Sequence, residues 1–152
     1  MKFLKLTICV LFVGLFNACT KENDTIVEPP PATVVNFTST INGESEVPSN
    51  ASTANGSATA KFDKITKILT LTMTFGGLTA TNMHIHKAPV GVSGGVLFGI
   101  GGPAPYSYTI NYTSPALSVG QEDSLMNNQF YLNIHTRAFP GGEIRGQMIK
   151  QK

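Results

Sequence analysis

Residues 67–75, "KILTLTMTF", alternate apolar and polar side chains with a period of two. Leu69, Leu71, Met73 and Phe75 fall on one face, and Thr70, Thr72 and Thr74 on the other. A β-strand turns successive side chains to opposite faces, so this pattern suits a half-buried strand and gives a helix no continuous apolar stripe. No stretch of the remaining chain sustains helical apolar spacing, whereas β-branched residues recur at 36–41, 56–62, 83–86, 95–100, 107–112, 129–135 and 143–149, separated by Gly, Pro and Asn. About eight short strands punctuated in this way predict an all-β domain, a β-sandwich or a closed barrel. Residues 114–129, "SPALSVGQEDSLMNNQ", are the one place where a short helix or a long loop is expected.

The N-terminus is of a different kind. Lys2 and Lys5 precede an apolar run from Leu6 to Phe16, too short to span a bilayer as a mature helix and typical of an export signal. The run ends in Asn17-Ala18-Cys19, which resembles the lipobox of bacterial lipoproteins, although Phe16 stands where Leu is usual. The expectation is a signal peptide over 1–18 and a lipid on Cys19. Residues 19–35 then form a polar, Pro-rich tether in which Pro29, Pro30 and Pro31 favour an extended spacer. Lys21, Glu22 and Asp24 beside the cysteine resemble a signal that sends some Gram-negative lipoproteins to the cell surface. The expected location is therefore the bacterial cell envelope, as an outer-membrane or cell-surface lipoprotein held to the membrane by its N-terminal lipid.

Processing of this kind has two chemical consequences. Cys9 would leave with the signal and Cys19 would carry lipid, so the domain at 36–152 would have no thiol for a disulfide or a thiolate metal site. The net charge of +2 would fall to about zero with Lys2 and Lys5 removed. A neutral domain without a clustered basic face is not built for nucleic acid.

The chain has three histidines, and all fall on the outer faces of expected strands. Met83 and Ile85 point one way, so His84 and His86 point the other. Side chains two apart on a strand lie about 6 to 7 Å from one another, close enough for two imidazoles to converge on one ion. By the same parity Leu132 and Ile134 face the core, while Asn133 and His135 face away.

The two histidine segments also match each other. "HIH" followed by "GGVLFG" parallels "NIH" followed by "GGEIRG", aligning His84 with Asn133, His86 with His135, and Gly94-Gly95 with Gly141-Gly142. Two related strand-turn-strand units can pair about a pseudo-twofold axis, which would bring His86 near His135. The resulting site would hold zinc or copper through His84, His86 and His135. Asn133, Glu143 and Arg145 are the expected supporting groups around it, since ligating imidazoles are oriented by a further hydrogen bond.

"NGESEVPSN", "GSATAKFD", "MHIHKAPVGVSGG" and "FYLNIHTRAFPGGEIRGQM" together resemble the CHRD domain, first named from chordin, over about 37–149. The resemblance implies an immunoglobulin-like β-barrel or sandwich in a secreted protein. The cysteine-rich modules credited with growth-factor binding in animal chordin are absent here, so the resemblance carries architecture further than function.

Three classes of function follow from these residues. A lipid-anchored binding module would hold a protein, a glycan or a metal ion through its loops or its histidine face. A metal-dependent enzyme would use the three neutral nitrogens with an open fourth position. A structural envelope lipoprotein would use the imidazoles only to tie strands together. A His-x-His strand is also similar to the copper site of Cu/Zn superoxide dismutases, but the further histidines of that two-metal site are missing. Glu44 and Glu46, before Pro48, either hold a loop or add a carboxylate ligand. No Walker-type loop or dinucleotide fingerprint is present.

Overall fold

A computed structural model describes residues 33–102 and 104–152. The expected signal peptide at 1–18, the lipidated Cys19 and all but the end of the tether at 19–35 lie outside the described residues.

Among the described residues, nine strands and one helix follow in the order β1 (Val34–Asn42), β2 (Asn55–Asp63), β3 (Leu69–Gly76), β4 (Ala80–Lys87), β5 (Val96–Gly99), β6 (Thr109–Thr113), α1 (Val119–Met126), β7 (Phe130–Thr136), β8 (Ile144–Gln147) and β9 (Ile149–Lys150). They form one antiparallel sheet in the order β5-β4-β7-β8-β1-β2-β3-β6, with β9 paired to β1 off this path. Phe37, Phe62, Leu71, Met73, Met83 and Ile134 come from strands spread across that path, yet all are buried in a single core. One sheet can do this only by curling around its own apolar face, and the result is a half-barrel. Its two edges approach through side chains: the rings of Phe98 on β5 and Tyr112 on β6 are 6.3 Å apart.

Alternation explains most of this architecture. In β3 every apolar residue is buried and every threonine exposed, and β1 and β2 repeat the pattern against it. The β2–β3 turn is closed by Asp63, whose carboxylate accepts the backbone N–H groups of Ile65 and Thr66 at 2.7 and 3.2 Å. The expected helix occupies the middle of 114–129. Ser118 caps it, accepting from the Gln121 N–H while the Gln121 side chain accepts from the Ser118 N–H. Leu125 anchors it in the core.

The segment expected as one strand at 143–149 is two. Residues 144–147 pair with β7, whereas 149–150 pair with Thr38 and Phe37 of β1. Between them the Met148 N–H bonds to the Phe130 carbonyl, and its side chain is buried in the core. Gly146 lets β8 lie close to β1, because a Cβ there would meet the Ser39 hydroxyl and the Thr40 carbonyl.

Candidate metal centre

The site is built on the adjacent strands β4 and β7. Their register sets His84 opposite Asn133, His86 opposite Tyr131 and Asn82 opposite His135. Met83, Ile85, Leu132 and Ile134 are fully buried in the core, so these opposed side chains share the other face. The expected pseudo-twofold relation is present. His84 and Asn133 sit at its centre, His86 and His135 lie two residues to either side of it, and β5 and β8 are the matching outer strands.

The three imidazoles lean toward that centre. Ring centroids are separated by 5.4 Å for His84 and His86, 4.9 Å for His84 and His135, and 6.1 Å for His86 and His135. One nitrogen from each lies within 4.8 Å of the other two. A tetrahedral ion with bonds of 2.0–2.1 Å needs its nitrogens about 3.3 Å apart, so small ring rotations close the set.

Hydrogen bonding fixes which nitrogens are available. His86 Nδ1 lies 3.0 Å from the Gly94 carbonyl, and His135 Nδ1 lies 2.9 Å from the Pro140 carbonyl. A carbonyl only accepts, so both rings carry their proton on Nδ1 and present a lone pair at Nε2. The two anchors come from corresponding turns, one before β5 and one before β8. His84 Nδ1 is 2.9 Å from His135 Nε2 and donates to it, so an ion would have to displace this hydrogen bond to reach the His135 lone pair. His86 Nε2 is buried and has no hydrogen-bond partner among the described residues. An imidazole tied at one nitrogen to a backbone carbonyl and open at the other, as His86 is, has the outer-shell arrangement of a metal ligand.

Burial and mutual proximity favour the neutral rings. The His84 pKa is lowered by desolvation first, then by the neighbouring His135 and His86. That of His86 is lowered by desolvation, by His135 and by Arg145, against an opposing contribution from its Gly94 hydrogen bond. Neutral imidazole is the form that binds a metal.

This outer face is not a solvated one. Tyr131, Asn133 and Arg145 are 2%, 4% and 2% exposed, since the segments at 43–47 and 88–94 fold across β7 and β8. Tyr131 stacks on His86, with 4.9 Å between ring centroids and 13° between planes. Its hydroxyl donates to the Gly94 carbonyl at 3.2 Å and accepts the Gly94 N–H at 3.0 Å. The same carbonyl therefore holds both the tyrosine and His86. Sequence reasoning missed Tyr131, although its parity with Asn133 and His135 already placed it on this face.

The expected supporting groups lie elsewhere. Glu143 accepts from Ser52 Oγ at 2.7 Å and Thr136 Oγ1 at 2.6 Å, tying a loop to β7 and touching no imidazole. Arg145 donates to the Val92 carbonyl at 2.9 Å and to Gln147 at 3.3 Å, and its Cζ lies 3.5 Å from the Tyr131 ring centre. It reaches His86 only through that ring. Asn133 makes no hydrogen bond to a histidine; its amide packs over Gly142 beside Glu46, and its Oδ1 is unpartnered. The orienting role expected of these three residues belongs instead to two backbone carbonyls, which a residue pattern does not reveal. Glu44 is exposed and Glu46 buried, and neither joins the histidine cluster.

No curated protein and no solved structure matches the chain. The family model of the CHRD domain matches residues 37–148, the whole span from the first buried residue of β1 to the end of the core at Met148. The chain belongs to the CHRD domain family.

Proposed function

We propose that this protein is a lipid-anchored, extracytoplasmic metal-binding module, holding one zinc or copper ion between His84, His86 and His135. The observation that carries the reading is the unpartnered, buried Nε2 of His86. A buried polar atom without a partner is costly. This one faces the other two rings while its own Nδ1 is already anchored. An ion supplies the missing partner, and the cluster supplies three neutral nitrogen ligands with room for a fourth group. The envelope location rests on the sequence alone, on Ala18-Cys19 after a short apolar run.

The test is calorimetric titration of tag-free domain with zinc and with copper, at about pH 7.5 and about pH 5, where imidazole protonation competes with metal. One ion per chain, weaker binding at the lower pH and loss of binding in His86→Ala are the expected results. Wild-type protein that takes up neither ion at micromolar concentration would reduce the histidines to structural hydrogen-bonding groups. Radiolabelled fatty acid should enter the full chain and not Cys19→Ser; label in both would remove the anchor.

A further inference from the structure

Charge is unevenly distributed around the cluster. Its three side chains are imidazoles and no carboxylate is among them. The charged groups that bear on His84 and His86 are the other imidazoles and Arg145. Arg145 is 2% exposed and makes no ion pair, the only one among the described residues being Lys67 with Glu122; the carboxyl that acts on it from farther off, Glu46, is itself buried with its pKa raised by desolvation. Guanidinium, Tyr131 ring and His86 ring stack in that order, at 3.5 Å and 4.9 Å. A divalent ion here would meet no carboxylate ligand, and the buried Arg145 lies across the Tyr131 ring from His86. His84 and His135 are only partly buried, so the cluster opens to solvent on their side.

Resting on the metal reading above, we infer that the loaded site takes its fourth ligand from solution, and that this ligand is an anion of the carboxylate class. An anionic oxygen donor offsets both the ion and Arg145 in a setting where a half-buried charge is poorly screened. Neutral donors of the same size satisfy only the coordination position. Arg145 is thus a specificity-determining residue that favours the anion and opposes the ion. Its two effects have opposite signs, which separates them from any structural contribution.

The experiment uses the copper(II)-loaded domain, with azide as a spectroscopic probe and acetate as competitor. Azide should give a saturable charge-transfer band that acetate removes. In Arg145→Gln, azide affinity should fall by about threefold to tenfold, while copper affinity holds or rises, as expected for removing one like charge at this range. If copper loads one per chain but azide leaves the spectrum unchanged, the anion site is refuted and the metal reading stands. Failure of copper and zinc to load refutes both. Equal weakening of copper and azide in Arg145→Gln would show that the arginine acts only by holding the Val92 loop, and would overturn its role in specificity.

Discussion

Tyr131 and His86, direct neighbours across β7 and β4, lie flat against one another and share a single backbone carbonyl, that of Gly94. The tyrosine holds the carbonyl, and the carbonyl holds the tautomer of His86. Packing on the sheet and chemistry at the ring nitrogen are thereby coupled through one loop residue.

Removing only the Tyr131 hydroxyl tests that coupling. Tyr131→Phe keeps the ring stack but leaves the Gly94 N–H without its acceptor, at a cost of about 1 to 3 kcal/mol. Metal affinity should fall by about tenfold, the scale on which outer-shell partners act. Urea unfolding and calorimetry measure the two effects. Tyr112→Phe, on β6, should leave metal affinity unchanged; equal losses in both variants would dissolve the link.

A second prediction concerns the core. Leu71 is 3% exposed in the middle of β3, whereas Thr72 on the opposite face reaches only Asn111, at 2.9 Å. Leu71→Ala should cost about 2 to 5 kcal/mol in urea unfolding. Thr72→Ala should stay within about 1 kcal/mol, the worth of one exposed hydrogen bond. Similar costs at the two positions would contradict the one-sided core of this strand.

How much of this was legible depends on what each side chain packs against. Parity along β3, β4 and β7 assigned Leu71, Ile85 and Ile134 to the core and the three histidines to one face, because strand geometry allows nothing else. The matched "HIH" and "NIH" segments gave the pairing of β4 with β7. Parity does not say whether the second face is wet. The burial of Tyr131, Asn133 and Arg145 depends on two loops crossing the sheet, and loop paths follow from long-range packing, not from local alternation. For the same reason Glu143 looked like a partner for His135, yet it turns to Ser52, far away in sequence.

The metal-free domain should lose stability on acidification through the histidine range. His84 and His86 have pKa values below the ordinary 6.5 in the folded state. Below about 6.5 the unfolded chain therefore binds protons that the folded chain resists, and the equilibrium shifts toward unfolding. Their contribution is complete above that value and diminishes as pH falls toward the folded pKa values. Urea midpoints for wild type and His84→Gln/His86→Gln should converge with falling pH across this range if the wild type is the more stable at neutral pH. A wild-type midpoint that rises on acidification from about pH 7 to about pH 6 would contradict the sign.

Glu46 carries the opposite sign. Its carboxyl is 8% exposed and its Oε1 has no partner. Desolvation raises its pKa above 4.5, only partly opposed by the Val47 N–H and the more distant Arg145. A carboxyl with a raised folded pKa contributes stability below its unfolded pKa and loses it as pH rises through the folded value, so at neutral pH the charge is a cost. Glu46→Gln removes the charge and keeps an oxygen to accept the Val47 N–H, which Glu46 Oε2 now accepts at 3.3 Å. It also introduces an N–H donor beside the unpartnered Asn133 Oδ1, since both side chains pack over Gly142. At about pH 7 the variant should be more stable by about 1 kcal/mol, the net value of one intramolecular hydrogen bond. The gain should shrink as pH falls to about 4, where the wild-type carboxyl is protonated in the folded state and increasingly so in the unfolded one. Urea unfolding at the two pH values reads the difference directly. A variant less stable than wild type at neutral pH would mean that Glu46 is held as a useful anion, with its attraction to Arg145 outweighing desolvation.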